Sequence, residues 1–267
     1  DFIKFGSIAI PLIIICILGV LILVKLLIKK VPISSKMSYL IAIGTSVCGA
    51  TAIVATAPVI NAKKSEVAYS IANITLFGVI AMLVYPYFAE WYFDNEALNT
   101  GLFLGTSIHE TSQVAAAGLI YDQQFNSPET LNVATVTKLI RNTFLVILIP
   151  LFAFLYNRGE LKGQSYSILN IFPYFVLGFI GMIIVRNLGD QFFPLGDNNH
   201  EIWTNVIRYL KILATVFLTM AMAAVGISIN LSELKSMGYK PFVVGLIAAV
   251  TVGIISLIYI ETLNKFI

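Results

Sequence analysis

The sequence predicts an all-α polytopic membrane protein with an inverted repeat, in which two re-entrant hairpins or broken helices meet near the bilayer midplane. Three observations predict it. Of 267 residues, 58% are hydrophobic and 12% charged, with mean hydropathy +0.88, whereas soluble domains carry about 25% charged residues. Apolar runs of about 20 residues, enough to cross roughly 30 Å of hydrocarbon, recur along the chain. Residues 44–57, GTSVCGATAIVATA, return sixty-one positions later as residues 105–118, GTSIHETSQVAAAG.

The first apolar run, 5–28, predicts a membrane helix, and with the basic loop behind it forms a scaffold unit, 1–37. It is too long for a secretory signal and is followed by lysines. Stretch 38–60 is embedded but rich in Gly, Ser and Thr; with the helix 66–89 it makes the first repeat unit, 38–96. Stretch 98–120 and the helix 131–156 make the second, 97–160. Each following helix begins Val-Ala (Val67-Ala68, Val133-Ala134) and ends Pro-x-Phe (Pro86 to Phe88, Pro150 to Phe152). Runs 166–187, 205–229 and 240–262 predict three further helices in 161–267, giving six full spans, with Ala221, Ala223, Ala224 and Gly226 marking close packing of 205–229. The longest polar stretch is about 188–204, so no extramembrane domain is expected. Cys16 and Cys48 both lie in apolar stretches, against a disulfide framework. A net charge of +3 gives no argument for nucleic acid. The chain begins with Asp1, so it is expected to be a trimmed piece of a longer protein.

Loop charges choose between readings of the two polar stretches. Lys25, Lys29, Lys30 and Lys36 are expected in the cytoplasm by the positive-inside rule. If 38–60 and 98–120 dip in and return, Lys63 and Lys64 also fall inside while Asp94, Glu96, Asp122 and Glu129 fall outside. Arg158, Lys162, Lys235 and Lys240 then lie inside, and Asp190, Asp197 and Glu201 outside. Full crossings would break the rule. The two units become inverted copies, the plan of many alternating-access carriers. A single broken helix in place of each hairpin is the competing reading.

Chemistry concentrates at the two tips. The first offers Thr45, Ser46, Cys48, Gly49, Ala50 and Thr51; the second Thr106, Ser107, His109, Glu110, Thr111, Ser112 and Gln113. Two helix amino-termini meeting at the midplane make an anion site, because unpaired N–H groups and positive dipole ends face the ligand. The alternative for any single residue is that Ser, Thr and Gly allow close helix packing. Lys138 and Arg141 stand three apart on one helical face. Ionisable groups at membrane depth face a cavity or a partner, so these two are expected to neutralise an anionic solute or to pair with Glu110. His109 and Glu110 are the proton-coupling candidates; H⁺ or Na⁺ is the expected coupling ion. Neither a cofactor nor a metal site is expected, and Ser107 with His109 is too generic to support a hydrolase.

These residues resemble a known family. GTSVCGATAIVATAPVINA with KSEVAYSIANITLFGVIAMLVYP is similar to the first signature of the YeiH-type bacterial membrane proteins, a sulfate exporter family. GTSIHETSQVAAAG followed by VATVTKLIRN resembles the second, and FVLGF and the stretch LTMAMAAVGISINL are also similar. The likeness covers essentially the whole chain. It implies a multi-pass carrier of the bacterial cytoplasmic (inner) membrane, with sulfate or a sulfonate-related anion as solute. Family members carry Asp after the motif histidine, where this chain has Glu110, and further amino-terminal helices. The expectation is therefore a secondary carrier for a small anion, in contact with lipid, with an elevator-type movement and a homodimer as its expected mechanism and assembly. An anion channel and an intramembrane enzyme are the alternatives.

Overall fold

In a computed structural model, the structure describes residues 2–157, 174–194, 199–228, 232 and 238–265. Arg158, Lys162, Asp197, Lys235 and the first part of the 166–187 run lie outside these residues, as do the side chains of 221–226. All regular structure among the described residues is helical: α1 (Phe2–Ile28), α2 (Ser35–Ser46), α3 (Ala50–Thr56), α4 (Lys64–Phe93), α5 (Ala97–Ser107), α6 (Thr111–Phe125), α7 (Pro128–Thr143), α8 (Leu145–Asn157), α9 (Tyr174–Phe192), α10 (His200–Ser228) and α11 (Lys240–Asn264). Among the described residues four stretches are long and apolar enough to cross a membrane: Phe5–Ile28, Lys64–Phe93, Pro128–Phe152 and Lys240–Asn264. The expected span 131–156 is divided by a tight turn at Phe144, whose N–H reaches the Arg141 carbonyl at 3.2 Å.

Both polar stretches are broken helices whose arms return to the end at which they entered. At the first, Ser34 Oγ donates to Glu66, and Lys36 Nζ donates to the Asn61 carbonyl at 2.6 Å. Residues before α2 and after α3 are therefore neighbours. Glu66 Oε2 also accepts the Lys63 N–H at 2.8 Å, which starts α4 at this junction. At the second hairpin, Tyr121 near the end of α6 donates its hydroxyl to Glu90 at 2.5 Å and to Asn95 at 3.5 Å, just before α5 begins. The reversals that close α4 and α6 use Asp94 (φ 51°) and Asn126 (φ 59°), residue types that tolerate the left-handed region.

Charge segregates accordingly. Lys29, Lys30, Lys36, Lys63, Lys64 and Lys240 gather at one end, around a cavity of about 310 Å³ lined in part by Ser34, Lys63, Glu66 and Lys240. Glu90, Asp94, Glu96 and Glu261 lie at the other end, where Tyr92 donates to Glu261 at 2.5 Å and Lys265 closes α11. Tyr87, Trp91 and Tyr92 are exposed there, as aromatic residues at a membrane interface are. Exposed aliphatic side chains such as Leu18 and Ile22 on α1, Leu83 on α4 and Ile254 and Ile258 on α11 form the lipid-facing surface.

Small residues set the internal packing. A Cβ on Gly105 would come within 2.7 Å of the Ala134 carbonyl oxygen, so α5 and α7 touch backbone to backbone. Helices α1 and α11 lie together and cover α2 and α5, while α4 packs on both arms of each hairpin. Trp203 Nε1 of α10 and Arg186 Nε, one turn back on α9 itself, both donate to Asp190 of α9 at 2.8 Å, holding its carboxyl below the ordinary aspartate range.

The junction at Glu66 gives a first test. Glu66→Ala removes the acceptor shared by Ser34 and the Lys63 N–H, and should lower stability by about 1–2 kcal/mol, read from the thermal midpoint. A melt unchanged within error would mean that the two ends of the first hairpin are not tied there.

Candidate functional site

The hairpin tips end where their backbones stop being helical. Helix α2 stops at Ser46, Val47 turns at φ −127°, ψ −88°, and Gly49 takes φ 67°, ψ −127° before α3 restarts. Only glycine adopts that last conformation readily. In the second tip Ile108 and Glu110 are extended, and Gln113 Oε1 accepts the Glu110 N–H at 3.3 Å to start α6. Breaking a helix orphans the carbonyls of its last turn, and at membrane depth no water is at hand to bond them.

Two cations meet this demand. Lys138 Nζ donates to the carbonyls of Val47 at 2.8 Å, Ile108 at 2.9 Å and His109 at 2.5 Å. Arg141 Nε donates to Ser46 at 2.7 Å, Nη1 to Thr106 at 2.5 Å and Ile108 at 3.4 Å, and Nη2 to Thr45. Both side chains are fully buried. Thr45 and Thr106 hold equivalent positions in the repeat, as do Val47 and Ile108, so each cation bridges matching carbonyls from the two tips. The structure places Lys138 and Arg141 among backbone oxygens; all three Lys138 protons go there rather than to Glu110.

Glu110 turns instead toward the first tip. Its Oε1 accepts the Thr75 hydroxyl at 3.0 Å, and the Ala50 N–H interacts with the same carboxylate. A Cβ on Gly49 would overlap the Glu110 side chain, so the missing side chain makes its room. Gly49 and Glu110 are themselves equivalent positions of the repeat. Gln113 crosses in the same way: its Nε2 donates to the Thr75 carbonyl at 3.3 Å, and its amide fills the space beside Gly78.

Several polar atoms at this junction are buried without a partner: Thr45 Oγ1, Ser46 Oγ, Ser107 Oγ, both ring nitrogens of His109, Glu110 Oε2 and Asn142 Oδ1. Buried polar groups are ordinarily bonded, so a cluster of exceptions marks a place where something polar is received. Cys48 is buried in the first connector and Ala50 at the start of α3, Thr111 and Ser112 are half-buried at the start of α6, and Thr51 is exposed. Asn142 Nδ2 donates to Thr111 Oγ1 at 3.0 Å, which ties α7 to that start. Thr106 points elsewhere, its hydroxyl 2.7 Å from Ser256 on α11.

Sequence reasoning missed Thr75, Gly78 and Asn142. Thr75 and Gly78 stand three apart on one face of α4, a small-residue spacing that could have flagged them. Asn142 adjoins Arg141 and carried no separate signal.

Comparison with known proteins places the chain. The family model described as conserved hypothetical protein 698 matches residues 1–245. A UPF0324 membrane protein of Fusobacterium nucleatum subsp. nucleatum is 35% identical over 261 residues, covering 96% of this chain and 75% of the relative. One of Streptococcus agalactiae serotype V is 36% identical over 256 residues, 94% and 72% of the two chains. One of Clostridium tetani is 29% identical over 244 residues, 86% and 66%. No solved structure matches. The chain, with its stapled double hairpin, belongs to the UPF0324 family of membrane proteins.

Proposed function

We propose that the chain is the core of a secondary carrier that moves a small anion by alternating access, with the solute held where the two hairpin tips meet. The observation that carries this reading is the cluster of partnerless buried groups from both tips, Ser46, Ser107, His109 and Glu110. Charge favours an anion: two cations and one carboxylate are buried there, and α6 directs its amino-terminus at the same place. The sulfate-exporter resemblance supports sulfate or a sulfonate. Lys138 and Arg141 set the field from behind the carbonyls they bind; Ser107, Thr111 and Ser112 are the expected contacts.

The matching carbonyl pairs support two inverted units whose axis passes close to Lys138 and Arg141. Because one helix bonds both tips, the hairpins and α7 move as a body, and the remaining helices, paired across a homodimer in the bacterial inner membrane, supply the frame. The protein then works without covalent chemistry and without a cofactor.

The test is the melting of the purified protein in sodium sulfate, methanesulfonate, phosphate and gluconate at matched ionic strength. A ligand of the folded state stabilises it by mass action, about 2.7 kcal/mol at a hundred times its Kd. Sulfate or methanesulfonate should raise the midpoint of the wild type and not of Thr111→Val/Ser112→Ala. A flat response across the series, or an equal rise in the variant, would sink the assignment. Saturable counterflow of labelled sulfate, without conductance steps or product, separates the carrier from a channel and from an enzyme.

A further inference from the structure

Six carbonyl oxygens at the tips, those of Thr45, Ser46, Val47, Thr106, Ile108 and His109, accept hydrogen bonds from Lys138 or Arg141. In carriers with broken helices, unwound carbonyls of this kind coordinate the coupling sodium ion. Here they already face an ammonium and a guanidinium that cannot leave, because both are covalently part of α7. A mobile metal cation at the same oxygens would sit beside two fixed positive charges in a medium of low dielectric constant, where like charges repel strongly.

One acidic group remains beside them. Glu110 is contributed by the second tip, yet it touches Gly49 and Ala50 of the first and Thr75 of α4. It is 4% exposed, and its Oε2 has no partner. The charged or titratable groups facing it are Lys138 from α7 and Cys48 from the first connector; His109 precedes it in the chain, Arg141 lies one turn beyond Lys138 on α7, and α4 offers the Thr75 hydroxyl. His109 has the two cations for neighbours and no hydrogen-bond partner on either ring nitrogen. Glu110 can be held in either state: Thr75 donates to Oε1 and the Ala50 N–H lies beside the carboxylate, while the partnerless Oε2 can take a proton with the Thr75 bond kept.

We infer that Glu110 is the proton-binding site of this chain, that a proton and not sodium is its coupling ion, and that proton and anion bind together. The coupling role rests on the carrier reading above; proton binding at Glu110 does not. With Glu110 ionised, the buried groups carry one net positive charge, and with Glu110 protonated they carry two. Protonation therefore strengthens the attraction for an anion, and by reciprocity a bound anion favours the proton.

Infrared difference spectroscopy of the full chain in lipid tests this without a transport assay. The pH is stepped down, and then sodium is exchanged for choline at fixed pH. A carboxylic-acid C=O band should grow as pH falls, vanish in Glu110→Gln, shift in Glu110→Asp and stay unchanged by sodium. The Asp variant keeps the test decisive if the Gln variant does not fold. A band untouched by both substitutions, or one that sodium removes, overturns the inference. Any anion that stabilises the protein should enlarge the band at fixed pH; an anion that leaves or lowers it overturns the linkage. Because the pH arm needs no solute, a flat anion screen and a missing Glu110 band are separate failures.

Discussion

Arg141→Ala should leave the two tips joined by Lys138 alone, and we expect a protein that purifies poorly or melts far below the wild type. The side chain bonds the carbonyls of Thr45, Ser46, Thr106 and Ile108, which come from both hairpins. Each buried acceptor left without a donor costs about 1–3 kcal/mol, and native proteins are stable by only about 5–15 kcal/mol. Ile108 keeps its bond from Lys138, so three acceptors, those of Thr45, Ser46 and Thr106, are orphaned, and even at the low end of that range they remove a large share of the total. Arg141→Lys separates charge from geometry. It keeps the positive charge, yet an ammonium has three donors and no planar fork, so it should recover part of the loss and not all of it. Thermal midpoints of the three proteins check the order. If Arg141→Ala melts with the wild type, the guanidinium is not what joins the tips.

Gly49→Ala should be the most damaging substitution of a single hydrogen by a methyl group. The backbone there sits at φ 67°, ψ −127°, and the added carbon would run into the Glu110 side chain. The backbone term alone is of order 1–3 kcal/mol, and overpacking adds about as much again. The two parts can be separated. Gly49→Ala/Glu110→Ala relieves the overlap and keeps the backbone strain, so its loss should be smaller than the sum of the single losses. A difference of about 0.5–3 kcal/mol is the usual size for residues in contact. Strict additivity would show that the two side chains do not meet.

Much of this architecture was legible before any coordinates. The repeat was readable because Gly44, Thr45, Ser46 and their partners sixty-one residues on recur inside an apolar background. The return of each hairpin to its entry end followed from where the lysines fall, and Lys36 on Asn61 and Tyr121 on Glu90 are its physical form. The targets of Lys138 and Arg141 were not legible. Their partners are carbonyl oxygens, which every residue carries, so nothing in the side-chain code distinguishes Val47 or Ile108 as acceptors. The fit of Glu110 against Gly49 was hidden for a related reason: a missing side chain shows what it makes room for only when the other tip is brought across. The turn at Phe144 carried no Gly or Pro to announce it.

The cations also fix an order of events during synthesis. Lys138 lies 91 residues beyond the first-tip carbonyl that it binds. When α2 and α3 leave the ribosome, their broken backbone has no donor to meet it, and hydrocarbon does not tolerate exposed carbonyls. Neither arm, at 12 and 7 residues, can span the bilayer alone. The first hairpin must therefore wait at the interface or inside the insertion machinery until α7 has been made. Membrane entry of this half of the chain is then a late, concerted step, and a nascent chain truncated before Lys138 should remain open to added protease.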